Sequence, residues 1–372
     1  MQLIYLSPLP WTSFAQRPHK FVEWFHARAG RRVLWVDPYP TRLPIPSDFR
    51  RIGVREVHTG ATPPPWLEVV QVRGMPIEPI PGFGRMNAWL WISLLQRLER
   101  FAASSETLVA IGKPSLLALR VLDRLPRSPA LYDAMDNFPA FYKGVSHASM
   151  RRREQQLVRR ASIMWASSTA LKDRWSAIRR DIRLVPNGLD PKALPDFDAT
   201  GSGQGGKVLG YVGTMASWVD WSWLIALARA RPNDLVRLIG PVLVPPPMRL
   251  PSNIEILPPC GHREALRAMQ SFDVGLIPFL RNELTDCVDP IKFYEYRALG
   301  LPVLSTRFGE MAMRDGDEAT FLTSGHDDLG EKVSKALQYV AKVESVERFR
   351  AAHSWMARFD AAGIAANPSN HD

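Results

Sequence analysis

The residues best suited to chemistry lie together in segment 289–306 of this 372-residue chain. Pro290 fits the first turn of a helix, and Gly300 fits the end of that helix. Lys292 and Glu295 are three residues apart, so a helix places both on one face. An ammonium near a helix N-terminus can bind a diphosphate, and a carboxylate one turn further on can accept hydrogen bonds from two ribose hydroxyls. An ordinary surface ion pair uses the same spacing, so the spacing alone leaves both interpretations open.

A glycine-containing turn in the same half offers a second contact for phosphate. Gly213 ends the apolar segment 207–213, and Thr214 follows it before a helical pattern, so their backbone N–H groups are expected at the carboxyl end of a strand. Any tight turn between a strand and a helix can carry glycine, which is the alternative. Residues 201–206 match G-x-G-x-x-G, but they precede a strand instead of following one. That fingerprint holds a pyrophosphate only on a following helix, so we interpret this segment as a linker.

Two polar residues open the first helical pattern of the chain. Arg17 and His19 follow the first apolar segment. Their cationic and hydrogen-bonding groups are suited to stabilise a diphosphate leaving group or an acceptor phosphate. A histidine at the start of a helix is often only a cap, and this alternative stays open.

Short apolar segments alternate with helical patterns along the whole chain, which predicts α/β domains built on doubly wound parallel sheets. The strands predicted in the first half cover 2–6, 32–36, 67–72, 107–111, 129–132 and 162–166, and the helices cover 17–29, 114–124 and 149–161. The strands predicted in the second half cover 207–213, 235–239, 253–257, 273–278 and 302–305, and the helices cover 218–230, 262–271 and 290–299.

The length of the chain predicts two domains. The first covers residues 1–186 and is followed by a linker at 187–206, which is rich in Gly, Ser and Asp. The second covers residues 207–344. Residues 345–372 are predicted as a C-terminal helix that can pack back on the first domain and that ends in a frayed tail.

Charge is distributed unevenly over a chain whose formal net charge is +10. Residues 1–185 hold 28 Lys and Arg against 14 Asp and Glu, whereas the remainder holds 19 against 23. A basic half attracts the phosphates of nucleic acid or of anionic lipid headgroups. The alternative is a solvated basic surface without a specific partner.

One apolar segment in the basic half is a candidate for membrane contact. Residues 40–84 are crowded with proline, and the next segment, 85–97, is apolar nearly all round and contains Trp89 and Trp91. A helix of this kind is either fully buried or lies in a membrane interface. Composition leaves both alternatives open.

Targeting signals and metal-ligand clusters are not visible in the sequence. The N-terminus lacks a basic region, and its apolar segment is too short for a signal peptide. No segment approaches the ~20 apolar residues that span a bilayer. The two cysteines, Cys260 and Cys287, have no zinc spacing and suggest a reducing compartment. We therefore expect a cytoplasmic protein that uses no metal.

Residues 272–306 resemble the donor-binding domain of GT-B glycosyltransferases, in particular the retaining family 4 type and related bacterial exopolysaccharide and teichuronic-acid transferases. The resemblance rests on Phe272 to Phe279, on Asn282 to Thr285, on Pro290, Lys292, Glu295 and Tyr296, and on Gly300 to Val303. Three further stretches agree, at 16–19, 185–190 and 210–214. The resemblance covers roughly residues 1–310 and implies two Rossmann-like domains that face a cleft.

The resemblance also implies roles for individual residues. Glu295 matches the second glutamate of the family's E-x7-E motif, which binds the donor ribose, and Lys292 matches the position that reaches the diphosphate. The first glutamate of that motif falls at Cys287, so this chain departs from the pattern. Since that glutamate contacts the donor sugar in the retaining family, the identity of the sugar and the stereochemistry stay open.

A carboxylate in the first domain is a candidate general base. Xanthan-type glucuronosyltransferases are similar around residues 131–137, with an aspartate at the position of Asp136 that serves as the base. An inverting transfer needs one carboxylate to accept the proton of the acceptor hydroxyl. Asp133 is the second candidate, and either aspartate can instead cap the following turn.

These observations predict a glycosyltransferase whose donor is a UDP- or GDP-linked sugar and whose acceptor is a lipid-linked saccharide at the inner face of the cytoplasmic membrane. In this fold helix dipoles and basic side chains replace a metal ion, and the prediction includes no cofactor beyond the donor itself. A nucleotide-sugar 2-epimerase shares the fold and is the nearest alternative. A nucleic-acid-binding protein is a second alternative, but it would leave Lys292 and Glu295 without a role.

Overall fold

The computed structural model describes residues 1–41, 43, 62–80, 84–196 and 206–364. The chain divides into two compact units, Met1–Val185 and Pro186–Asp372. Residues 187–196 of the predicted linker are hydrogen-bonded within the second unit, for example from Leu189 N–H to the carbonyl of His353 at 3.0 Å. Residues 201–205 of the G-x-G-x-x-G segment, most of the proline-rich segment and residues 365–372 of the predicted frayed tail lie outside the described residues.

The first unit contains one parallel sheet of seven strands in the order β3-β2-β1-β4-β5-β6-β7. Its strands are β1 (Gln2–Leu6), β2 (Val33–Val36), β3 (Leu67–Val70), β4 (Thr107–Ile111), β5 (Ala130–Ala134), β6 (Ile163–Ala166) and β7 (Ile182–Leu184). Its helices are α1 (Arg17–Ala29), α2 (Gly84–Leu90), α3 (Ile92–Ala103), α4 (Leu116–Arg124), α5 (Gly144–Arg160) and α6 (Thr169–Ser176).

The second unit contains a parallel sheet of six strands in the order β10-β9-β8-β11-β12-β13. Its strands are β8 (Val208–Val212), β9 (Leu235–Ile239), β10 (Ile254–Leu257), β11 (Val274–Ile277), β12 (Val303–Thr306) and β13 (Thr320–Thr323). Its helices are α7 (Trp221–Ala230), α8 (His262–Gln270), α9 (Ile291–Ala298), α10 (Leu329–Leu337), α11 (Val343–Ala352) and α12 (Trp355–Ala362).

Both sheets have the 3-2-1-4-5-6 strand order of doubly wound nucleotide-binding folds. The predicted fold class of two such sheets is therefore confirmed. Central strands such as β1, β4 and β5 are buried along their whole length, which explains why they read as continuous apolar segments in the sequence.

Helix α9 lies unusually close to its sheet because one strand residue has no side chain. A Cβ on Gly275 in β11 would lie 2.4 Å from the ring of Tyr296, so only glycine lets that ring rest against the strand. The Tyr296 hydroxyl accepts a hydrogen bond from Val212 N–H at 3.2 Å. The helix then ends at Gly300, whose φ of 77° is the left-handed conformation typical of this position.

The structure differs from the sequence-based expectation in several elements. Strands β7 and β13 and helices α6 and α10 were not predicted, because each is short and lacks a long apolar segment. The single C-terminal helix expected from residue 345 is two helices, α11 and α12, and α11 packs on α9 through the rings of Phe349 and Phe293. None of the helices in the described ranges is long and apolar enough to cross a membrane.

Segment 85–97 is also not one helix. It divides at Trp91 into α2 and α3, and its two tryptophans have opposite environments. Trp91 is 1% exposed and donates from its indole nitrogen to the carbonyl of Arg73, whereas Trp89 is 74% exposed. The alternative of full burial therefore holds for Trp91 and not for Trp89.

Candidate functional site

The carboxyl edge of the second sheet positions the residues singled out in segment 289–306. The strand order reverses between β8 and β11. Two hydrogen bonds join the loops that follow these strands. Asp220 N–H donates to the carbonyl of Pro278, and Leu280 N–H donates to the carbonyl of Trp218. In sheets of this class the carboxyl ends at such a reversal bind ligands. Helix α9 begins after this loop, with Pro290 as its N-cap.

Lys292 and Glu295 meet on the first turns of α9, and a third residue joins them. One carboxylate oxygen of Glu295, Oε2, accepts a hydrogen bond from Lys292 Nζ. The other, Oε1, lies 2.9 Å from Nε2 of His262, the first residue of α8. The Glu295 side chain is only 7% exposed, whereas Lys292 is 24% and His262 is 44% exposed. The carboxylate therefore lies at the base of the cluster, and its two partners lie closer to solvent.

Electrostatics keep Glu295 ionised despite its burial. Burial alone raises the pKa of the carboxyl, but the Lys292 ammonium and the hydrogen bonds from His262 and Lys292 outweigh it and lower the pKa to about 2. Because an ionised carboxylate only accepts hydrogen bonds, Nε2 of His262 must carry the proton in this contact. Because its carboxylate is buried, this pair differs from the fully solvated surface ion pair that the i, i+3 spacing also allowed.

A buried network holds the start of α9 in place. Asp289 accepts hydrogen bonds from Asn187 N–H at 2.6 Å and from the Tyr294 hydroxyl at 2.9 Å through Oδ2, and from Arg314 Nη2 at 2.6 Å through Oδ1. The Arg314 guanidinium also stacks 4.0 Å from the centre of the Phe293 ring. Asn187 precedes β8 and Arg314 lies between β12 and β13, so the network ties the start of α9 to two other segments of the second unit.

Gly213 and Thr214 lie at the end of β8, as predicted, but their polar groups are partly engaged. Gly213 N–H donates to the carbonyl of Ile239 at 2.9 Å, and the carbonyl of Thr214 accepts from the Tyr211 hydroxyl at 3.1 Å. The Gly213 N–H therefore already donates its hydrogen bond to the neighbouring strand.

Arg17 and Asp133 form a buried ion pair in the first unit. Arg17 Nε donates to Oδ2 of Asp133 at 2.8 Å and Nη2 donates to Oδ1 at 2.7 Å. A third donor, Nη1, binds the carbonyl of Val185 at 2.8 Å. Both side chains are buried, so the bidentate pair joins α1 to β5 and to the end of the unit.

Asp136 lies two residues beyond β5 in a different environment. The side chain is half-buried, and within the described part of the chain its carboxylate has no hydrogen-bond or ion-pair partner. Burial raises the pKa of Asp136 to about 7; Arg17 opposes this shift and the charge of Asp133 adds to it. A carboxylate with this pKa is able to accept a proton near neutral pH.

His19 is buried within the first unit. Its Nδ1 accepts from Gln16 N–H at 3.2 Å, so Nε2 carries the proton and contacts the carbonyl of Trp11 at 3.1 Å. The ring lies 5.0 Å from those of both Trp11 and Trp35. Burial lowers the pKa of His19, which favours the neutral ring. In this arrangement both nitrogens are engaged by the backbone.

Two residues of these networks, His262 and Arg314, were not singled out from the sequence. His262 was expected only as the start of a helix, and Arg314 is 25 residues from its partner Asp289, which begins the segment singled out above but was given no role there. The one signal for His262 was its place after a strand, at the carboxyl edge where α/β sheets bind ligands. Within the ranges that the structure covers, no group of three or more His, Cys, Asp and Glu side chains is arranged to hold a metal ion.

No family model matches this chain. A Bacillus subtilis (strain 168) protein, TuaH, is 25% identical over 322 residues, which cover 78% of this chain and 76% of that protein. The name of TuaH assigns it to teichuronic acid biosynthesis as a glycosyltransferase.

Solved structures with the same fold span nearly the whole chain. The sucrose-phosphate synthase of Thermosynechococcus elongatus has a TM-score of 0.66 at 14% identity and covers 97% of each chain. The Anabaena protein HepE, solved in complex with UDP, has a TM-score of 0.61 at 14% identity and covers 97% of this chain and 98% of its own. At these identities the similarity establishes the fold, which is GT-B.

Proposed function

Because this chain is a glycosyltransferase of the GT-B fold, we propose that it transfers a sugar from a nucleoside diphosphate to a lipid-linked saccharide. The transferase prediction is confirmed, and the similar proteins do not support the 2-epimerase alternative. The observation that carries the choice of donor is the buried carboxylate of Glu295 beside Lys292 at the N-terminus of α9. HepE, a protein of the same fold, binds UDP.

The donor nucleotide is assigned to the second unit. Glu295 is the proposed acceptor of hydrogen bonds from the ribose hydroxyls, because it is ionised and its partners occupy only part of its hydrogen-bonding capacity. Lys292 is the proposed cation for the diphosphate, assisted by the positive end of α9 after Pro290. As the bond between the sugar and the diphosphate breaks, this cation neutralises the charge that develops on the leaving oxygen.

The proposed general base is Asp136. It accepts the proton of the acceptor hydroxyl while the oxygen of that hydroxyl forms a bond to the anomeric carbon. Asp133 is a poorer base, since Arg17 holds both of its oxygens. The same ion pair directs Arg17 toward Asp133 instead of toward a phosphate, so we assign Arg17 a supporting role at β5.

The proposed acceptor lies on an anionic membrane surface. The first unit carries the excess of basic residues, and it exposes a cluster of large apolar side chains at the junction of α2 and α3, namely Met86, Trp89, Leu90 and Ile92. It also exposes Lys143, Arg151 and Arg152 around α5. Basic side chains together with apolar anchors favour peripheral binding to anionic headgroups. We therefore propose that the protein works at the inner leaflet of the cytoplasmic membrane.

A panel of UDP- and GDP-linked sugars tests the donor assignment by thermal shift, since a ligand that binds the folded protein raises its melting temperature. The donor that binds is then used with Lys292→Met and Glu295→Gln, both of which are expected to weaken its binding at least tenfold. The exposed pair Lys335 and Glu331 on α10 supplies matched controls, Lys335→Met and Glu331→Gln, which should bind like the wild type. Equal binding by all four variants would refute the assignment.

A further inference from the structure

His262 connects two helix N-termini at the proposed donor site. It is the first residue of α8, and its Nε2 lies 2.9 Å from Oε1 of Glu295 on α9. The other partner of Glu295, Lys292, belongs to the same helix as the glutamate itself. Since the side chain of His262 comes from a different helix, it fixes the carboxylate in a direction that Lys292 does not control.

The arrangement leaves a defined acceptor capacity on the carboxylate. An ionised carboxylate has about four lone-pair sites, two on each oxygen. Among the described residues, His262 uses one site on Oε1 and Lys292 uses one on Oε2, so each oxygen retains one site for a ligand. A ribose presents two neighbouring hydroxyls, each of which can donate one hydrogen bond. The carboxylate as held thus matches a diol, with one hydroxyl per oxygen.

We propose that His262 is a positioning residue that orients Glu295 for the ribose diol and thereby sets the preference for ribonucleotides over 2′-deoxyribonucleotides. This inference rests on the proposed function. His262 makes no contribution to bond breaking in this role; it acts only through the carboxylate. Without its hydrogen bond, the Glu295 side chain can rotate toward Lys292, and one of the two free sites then no longer faces the sugar.

The test measures the dissociation constants of UDP and 2′-deoxy-UDP, and of GDP and 2′-deoxy-GDP, by calorimetry on the full chain. The wild type should bind one ribonucleotide more tightly than its deoxy form. In His262→Ala this preference should fall by about tenfold, because the rotated carboxylate of Glu295 loses one of its hydrogen bonds with the ribose hydroxyls, and a hydrogen bond to a charged group contributes about this much. His262→Gln should retain most of the preference, because an amide N–H can replace the imidazole donor. Arg263→Ala, at the exposed next position on α8, should behave like the wild type.

Each other outcome rejects a different statement. If His262→Ala keeps the full ribose preference while Glu295→Gln loses it, the proposed donor site stands and the role of His262 is wrong. If His262→Ala and His262→Gln lower the melting temperature and the affinity for all four nucleotides alike, His262 is only structural and the inference is overturned. If the wild type binds none of the four nucleotides, the proposed function fails, and this inference fails with it.

Discussion

The carboxylate of Asp133 is held on both oxygens by the guanidinium of Arg17, at 2.7 and 2.8 Å, inside the first unit. The aspartate three residues further along the chain, Asp136, has no such partner within the described residues. Two neighbouring carboxylates therefore have different environments, and this difference separates a residue that stabilises the fold from one that can exchange a proton.

Asp133→Ala is expected to destabilise the first unit strongly. It would leave the Arg17 guanidinium buried without its anion, and removal of one partner of a buried ion pair costs about 3–5 kcal/mol. Chemical denaturation followed by circular dichroism measures the free energy of unfolding. The matched control is Asp123→Ala, which removes the exposed partner of Arg160 and should cost no more than about 1 kcal/mol. Similar losses in both variants would contradict a structural role for Asp133.

Asp136→Asn is expected to lower kcat by about 10²–10⁴, which is the usual contribution of a general base. The affinity for the donor should stay unchanged, because Asp136 belongs to the first unit and the donor is assigned to the second. Single-turnover kinetics together with donor titration separates the two effects. A variant that turns over normally would rule out Asp136 as the base.

The rate should depend on the ionisation of Asp136. Because burial raises the pKa of this carboxyl to about 7, the base is protonated and inactive at lower pH. We expect kcat/KM to rise by about tenfold per pH unit below pH ~7 and to level off above it. Glu295, with a pKa of about 2, stays ionised over this range, so its titration adds no second transition to the pH profile of kcat/KM. A pH profile without a transition between pH ~6 and ~8 would contradict the assignment.

Trp89→Ser should affect membrane binding, whereas Trp91→Ser should affect stability. Trp89 is exposed, so its replacement should weaken flotation with anionic liposomes at low salt without changing the melting temperature. Trp91 is buried and hydrogen-bonded to the carbonyl of Arg73, so its replacement should lower the melting temperature through a cavity and an unpaired carbonyl. The control is Val340→Ser, an exposed apolar residue of the second unit, which should leave flotation unchanged. Normal flotation by Trp89→Ser would remove this surface from the proposal.

The sequence by itself determined the class of fold and the position of helix α9. Buried parallel strands are apolar along their whole length, so most of them were visible as short apolar segments between helical patterns. Helix α9 was predicted at 290–299 and observed at Ile291–Ala298, because Pro290 and Gly300 act locally at its two ends. The shared face of Lys292 and Glu295 likewise follows from helical spacing within one element.

Only the tertiary structure decided which polar side chains are engaged by distant hydrogen-bond partners and which can interact with a substrate. The partner of Asp133 is 116 residues away along the chain, and the partner that α8 supplies to Glu295 is 33 residues away. The opposite exposures of Trp89 and Trp91 also depend on packing against distant segments. Residue type and local spacing specify helices and strands, but the pKa of a carboxyl and the exposure of a ring depend on neighbours brought close by the fold.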